Sequence, residues 1–478
     1  MDNTNGIRNA AELGKPKMLI LGIQHMFAMF GATILVPIIT GLDVSTTLLM
    51  AGLGTLLFHC LTKFKVPAFL GSSFAFLGGY AAVKSMAGNG NSYTEAQMLP
   101  YACLGVACAG LVYLILAAVI KSVGIERVMR FFPPVVTGPI IIAIGLGLAP
   151  SAVSNCQTNW LLAIIALAVI IIFNIWGKGM SKIIPIILGL LISYAVGLVL
   201  YFIGQANPSL ISDIPWLFSS GADAQGVYQP IFDFSSVQNI ASNIAAGHIF
   251  GSEGLIGIPI HWDKTVFGGV DFSNGTLVAS AIIATVPIAL ATMMEHIGDI
   301  CAIGSTTGEN YIEDPGLHRT LCGDGLATTL ASLFGGPANT TYGENTGVLA
   351  LTKVYDPKVI RIAAVFAAGI SFFPMVSAII GSIPSSLIGG ISFVLYGMIS
   401  AVGVRNVVEN KVDFTKSRNL IIAAVILVCA LGLSANTCSF TIGSASITLS
   451  PLAVASIAGI VLNAVFPGKD YEFKKQGK

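Results

Sequence analysis

The chain has 478 residues, 54% of them hydrophobic and only 10% charged, with a mean hydropathy of +0.83. A soluble domain carries roughly a quarter charged residues, so the composition excludes a soluble enzyme or a nucleic-acid module and predicts an integral membrane protein. Twenty-four Lys and Arg against 23 Asp and Glu leave a net charge of +1, a balance that selects no partner by charge.

Apolar runs of about 18–24 residues, long enough to cross a hydrocarbon core of ~30 Å, predict fourteen spans. The first begins near Met18 and carries Gln24 and His25, and the second begins near Thr46. The third, near Val66, is short and broken: Val66-Pro67-Ala68 leads into Gly71-Ser72-Ser73-Phe74-Ala75-Phe76. Spans four to seven start near Met98, Pro134, Trp160 and Ile183. A polar stretch from about Gln205 to Asn274 follows, with six acids (Asp213, Asp223, Asp233, Glu253, Asp263, Asp271) against Lys264. It reads as a solvated loop, and Asn274-Gly275-Thr276 is a formal glycosylation sequon within it. Spans eight to fourteen start near Thr276, Leu321, Thr341, Val359, Ser385, Arg418 and Ser444. The tenth is broken like the third, with Gly336-Pro337-Ala338 leading into Thr340-Thr341-Tyr342-Gly343.

Charge distribution tests this count. With the amino terminus inside, Lys84 and Lys264 alone among the 24 basic residues fall on the outer side, the asymmetry that the positive-inside rule requires. Both termini are then cytoplasmic, in a cell (inner or plasma) membrane. The first apolar run is of full span length and leads into a second span, so no cleavable signal peptide is expected. The eight cysteines are scattered, without metal-ligand spacing. Buried thiols are expected, with no disulfide framework, metal or cofactor.

Seven spans per half is an odd number, so a repeat of the first half enters the membrane in the opposite sense. That is the inverted-repeat architecture of secondary transporters, whose broken segments mark a midplane binding site. Irregular backbone at this depth has to line a cavity, and half-helix amino termini there aim free N–H groups at a ligand's carbonyl oxygens. Carboxylates stand beside these breaks. Glu295 and Asp299 are four residues apart, on one face of the eighth span; Glu344 lies just past the break in the tenth. No Lys or Arg lies near the middle of any span. Intramembrane acids without a basic partner are functional candidates, and the reading is that at least one binds and releases a proton; a sodium site, or Glu344 merely capping its half-helix, are the alternatives. His296 points about 100° away from Glu295 around the helix. His25 and His296 read either as packing or as pocket-lining residues. Phe74 and Tyr342, aromatics at both breaks, suit a flat ring held by stacking.

Glu344-Asn345-Thr346-Gly347, followed after four residues by Thr352-Lys353, resembles the signature of the nucleobase–ascorbate transporter family. The resemblance extends over nearly the whole chain, through Gln24-His25, Phe30-Gly31-Ala32-Thr33, Gly71 to Phe76, Asp314-Pro-Gly-Leu-His-Arg319 and Tyr342-Gly-Glu-Asn345, and is closest to its bacterial uracil permease branch. It implies an all-α polytopic fold of fourteen transmembrane segments in two inverted repeats of seven, with short antiparallel strands in the third and tenth. It also implies a core domain (18–121 and 276–381) and a gate domain (134–204 and 385–466). An external loop (205–275) and cytoplasmic tails (1–17 and 467–478) complete the chain. By position, Glu295 and Glu344 would take substrate N–H groups. The backbone around Ser73, Phe74 and Gly343 would take carbonyl oxygens, with Tyr342 beside them. Gln24, His25 and Asn345 would line the pocket, and Glu295, Asp299, Glu344 and His296 would couple protons. The implied activity is uracil–proton symport by a homodimer in the lipid bilayer, not an enzyme reaction. One departure opens a second reading. Asp299 stands where uracil permeases usually have His and purine carriers have Asp, so xanthine or urate is the alternative cargo. An anion exchanger or channel on the same fold is a third reading, disfavoured by three acids without a pocket cation.

Overall fold

The computed structural model describes residues 6–88, 92–223, 225–433, 439–442 and 445–468. Helix α1 (Lys15–Thr40) stops at Gly41, whose φ of 86° suits a residue without Cβ and whose amide closes on the Pro37 carbonyl. Helix α2 (Val44–Leu61) is capped by Asp43, which accepts from the Thr46 amide at 2.7 Å. Strand β1 (Leu70–Ser72) then runs into a half-helix, α3 (Leu77–Lys84). Helix α4 (Leu99–Val123) and the turn α5 (Ile125–Met129) lead to α6 (Pro134–Cys156), α7 (Trp160–Trp176), the turn α8 (Met180–Ile183) and α9 (Pro185–Ala206). Proline opens α6 and α9, where its missing N–H would have had no helical partner.

The polar stretch is built, not merely looped. It holds α10 (Ser209–Asp213), α11 (Pro215–Phe218), a hairpin of β2 (Ser219–Ala222) and β3 (Tyr228–Pro230), then α12 (Ser235–Ala245) and α13 (Val266–Gly269). Asn274, the sequon residue, caps α14 (Gly275–Thr285) by accepting from the Leu277 amide. A 3-10 turn at Val286–Ile288 joins α14 to α15 (Ala289–Thr307). Helix α16 (Leu317–Leu333) precedes β4 (Asn339–Thr341) and the half-helix α17 (Gly343–Thr352). Helices α18 (Pro357–Ile370) and α19 (Pro374–Gly381) meet at 87°. The chain closes with α20 (Ser385–Glu409), α21 (Ser417–Gly432), the hairpin β5 (Ser439–Ile442) and β6 (Ala445–Thr448), and α22 (Pro451–Val465).

Among the described residues seven helical stretches are long and apolar enough to cross a membrane, or eight if the bent pair α18–α19 is one span. Helices α7, α21 and α22 are apolar but shorter. The protein is an integral membrane protein.

Two packing groups are visible. Helix α16 lies against α4 and α2, α18 against α2 and α1, and α14 against α4. Helix α20 lies along α6 and touches α7 and α9, while α21 packs on α22 and α6. Close approach rests on small residues. A Cβ on Gly110 of α4 would come within 2.6 Å of the Gly325 carbonyl of α16, and one on Gly145 of α6 within 2.2 Å of the Tyr396 carbonyl of α20.

Candidate functional site

Strands β1 and β4, from opposite halves of the chain, pair antiparallel, with Leu70 opposite Thr341, Gly71 opposite Thr340 and Ser72 opposite Asn339. All six residues are buried. Extended backbone in a membrane survives when its polar groups find partners, and here they do. Thr55 of α2 bonds both the Leu70 amide and carbonyl, and Thr328 of α16 donates to the Asn339 carbonyl at 2.7 Å. The Asn339 side chain donates to the Met50 carbonyl, the Ser73 amide to Ala338 and the Tyr342 amide to Phe69. The crossed segments are thereby sutured to α2 and α16.

Beside this crossing lies a cavity of about 1330 Å³. Phe74, Glu295, Asp299, Thr340, Thr341, Tyr342, Gly343 and Thr346 form its inner end. Its mouth is rimmed by exposed residues including Glu309 and Glu313 after α15, and Glu409 and Lys411 at and just past the end of α20. Away from the mouth, Phe74 meets Tyr396 of α20 edge-on, ring centroids 5.8 Å apart. Phe74, Leu77, Ile34, Leu35, Ile391, Leu395 and Tyr396 belong to one buried apolar cluster. The cavity lining runs to one end of the molecule, and this cluster lies beside its inner wall at Phe74.

The carboxylates sit where α15 passes the start of α17. Glu295 is half-buried in the cavity wall. Asp299, one turn on, accepts from the Thr341 hydroxyl at 2.9 Å, and its other oxygen faces Gly343. Gly343 opens α17, whose first amides have no helical acceptor. Glu344 stands in that first turn, but its side chain lies outside the described residues.

The remaining sequence candidates divide. Tyr342 lines the cavity, yet its ring packs against Gly71, and its hydroxyl donates to the Ser72 carbonyl at 2.9 Å, which leaves it a structural strut as well as a wall. Asn345 turns the other way and lies 3.3 Å from both Nδ1 and the carbonyl oxygen of His25, joining α17 to α1. Ser73, Gln24 and His25 are buried and stand outside the cavity wall. His296 also faces away from the cavity, and its Nδ1 lies 3.0 Å from Oδ2 of Asp324 on α16, both side chains fully buried. Asp324 was missed in reading the sequence. A carboxylate three residues past the expected start of the ninth span, near Leu321, was the available signal.

Membrane-length apolar helices thus surround a half-buried acidic cavity, and comparison with known proteins shows a transporter and not an enzyme. Residues 16–438 match the sequence pattern of the permease family, that of nucleobase–ascorbate transporters, and the chain belongs to that family. It is 36% identical to a uracil permease of Bacillus caldolyticus over 460 residues, 94% of this chain and 92% of the relative. It is likewise 36% identical to a uracil permease of Bacillus subtilis over 460 residues, 93% and 91%. Among solved structures, the transmembrane domain of a cyanobacterial bicarbonate transporter, BicA, superposes with a TM-score of 0.57 at 13% identity, covering 95% of this chain and 99% of that one. At that identity the likeness describes the fold alone.

Proposed function

We propose that this protein imports uracil by proton symport through alternating access. The observation that carries the reading is the half-buried Glu295 and Asp299 facing the amide-rich start of α17 in a cavity open at one end. A neutral ring with alternating N–H and C=O groups matches such a wall: carboxylates accept from the ring N–H groups, and helix-terminal amides donate to its carbonyls. The names of the 36% identical relatives support uracil as the cargo. Family membership supports the fourteen-segment inverted repeat, with crossings three and ten contributed by β1–α3 and β4–α17.

In this reading, residues 18–121 and 276–381 form a core that carries the substrate, and residues 134–204 and 385–466 form the gate. The two packing groups of helices support that division. The Phe74–Tyr396 contact then belongs to the outer seal between core and gate, and the cavity mouth faces the cytoplasm with both chain termini. Protons enter through Glu295 and Asp299, which line the cavity, and through Glu344 in the first turn of α17. The dimer belongs to the same proposal and rests on the family resemblance alone.

Asp299 favours one competing reading, a purine carrier for xanthine or urate. Competition among uracil, xanthine, urate and bicarbonate for the purified protein separates the readings. Uracil is expected to bind, and Glu295→Gln to weaken it at least tenfold while leaving the protein folded. Preference for xanthine or urate would move the purine reading ahead; preference for bicarbonate would replace both.

A further inference from the structure

The residues between α12 and α14 turn an unusual amount of apolar surface outward. Phe250 is 80% exposed, Ile258 75% and Trp262 65%, with Ile249, Phe267 and Phe272 also exposed. Water around such side chains is unfavourable, and exposed apolar patches mark an interaction site.

Their position in the fold says what covers them. Trp262 stacks on Phe267, which meets Phe334 just past the end of α16. Gly257 donates its amide to the Phe372 carbonyl, at the bend between α18 and α19, where Phe372 and Phe373 are also exposed. The Thr46 hydroxyl, in the first turn of α2, donates to the Pro259 carbonyl. Ile260, like Leu330, Phe334 and Ala368, packs against the buried cluster of Leu49, Met50 and Ala331. The stretch is thus fastened across the ends of α2, α16 and α18, with its own apolar side chains left outward.

The other tryptophans also stand exposed at or near helix ends. Trp160 and Trp176 are the first and last residues of α7, about 24 Å apart along a 17-residue helix, and both are exposed. That spacing suits the two aromatic belts of a bilayer. Asn159, which caps α7 beside Trp160, donates to the Ser219 carbonyl next to α11, so the exposed Trp216 lies near the same end. By contrast, the exposed side of α12 is polar, with Ser235, Ser236, Gln238, Asn239 and Ser242.

We infer that the stretch around Phe250, Ile258, Trp262 and Phe267 is a membrane-interface anchor that dips into the lipid leaflet at the sealed end of the transporter, while α12 stays in water. The inference needs only the membrane character of the protein and is independent of its cargo.

A variant keeping Trp262 alone (Trp160→Phe, Trp176→Phe, Trp216→Phe), reconstituted in phosphatidylcholine vesicles, tests it. Emission should fall by at least half with acyl chains brominated at carbons 6 and 7, fall less with bromines at carbons 11 and 12, and respond weakly to aqueous iodide. Strong iodide quenching without an effect of bromolipid would place Trp262 in water and overturn the anchor. So would emission indifferent to both quenchers but quenched by an acceptor on a second copy of the chain, the mark of a protein interface. If the triple variant does not fold, the difference in bromolipid quenching between wild type and Trp262→Phe gives the same readout from one conservative change.

Discussion

Nδ1 of His296 lies 3.0 Å from Oδ2 of Asp324, and both side chains are sealed from solvent one residue behind the cavity-facing Glu295. Phe58 meets the His296 ring edge-on, with centroids 6.3 Å apart. The contact joins α15 to α16, the helix whose Thr328 holds strand β4. Whatever positions Glu295 is therefore tied to whatever positions the crossing.

Breaking this contact from one side leaves a buried polar partner unsatisfied, at a cost of about 1–3 kcal/mol. Asp324→Leu is expected to lower the unfolding midpoint of the purified protein and to reduce uptake. Combining it with His296→Leu should recover part of the stability, because both partners are then apolar. A double variant less stable than Asp324→Leu by the full His296→Leu effect would show that the two residues do not interact.

Gly71 gives a sharper structural test. A Cβ there would stand 2.4 Å from two ring atoms of Tyr342 and 2.7 Å from the Thr33 hydroxyl. Overpacking of this kind typically costs about 1–3 kcal/mol, and here it also drives the Tyr342 ring from the cavity wall. Gly71→Ala should lower both stability and uracil affinity, and Tyr342→Ala should restore stability to it without restoring transport. Unchanged binding by Gly71→Ala would mean that the strand yields and the ring does not matter.

The membrane character and the acids of the eighth span were legible because charge stands out sharply in an apolar sequence. Pro67 and Pro337, with their Gly and Ser neighbours, marked the interrupted segments for the same local reason. Asp324 carried a comparable signal, but its importance depends on His296, a residue on another helix that no sequence spacing connects to it. Tyr342 was legible as an aromatic at a break, whereas the hydrogen bond from its hydroxyl to Ser72 depends on a pairing between segments some 270 residues apart. The built character of residues 207–273 was hidden because many of its apolar residues face outward, so no helix- or strand-like period survives.

One-sided access can be read chemically. Cys301 is exposed and lines the cavity, one turn and a half beyond Glu295. A membrane-impermeant maleimide should label it from the side of the cavity mouth and not from the other, with uracil slowing the reaction. Equal labelling from both sides would contradict the apolar seal formed around Phe74 and Tyr396.

Glu344→Gln is expected to remove most uracil transport with the fold intact, since the side chains are nearly isosteric. The amide loses the charge, the proton and part of the acceptor capacity that a carboxylate offers to a ring N–H. The decisive measurement is uptake by a well-folded variant in proteoliposomes. Wild-type rates there would leave Glu344 with nothing but a helix-capping role.

Asp299 separates proton coupling from cargo selection. It lies one helical turn from Glu295, and its oxygen accepts from Thr341. Asparagine at this position keeps an acceptor for Thr341, so Asp299→Asn should preserve the crossing while removing one negative charge. Two carboxylates in one site oppose each other's ionisation. Removing the Asp299 charge removes that opposition. The pH optimum of uracil uptake is therefore expected to move towards acid, with sodium absent and uracil still preferred. An unmoved pH profile together with a switch from uracil to xanthine would make Asp299 a specificity residue and carry the purine reading past the uracil one.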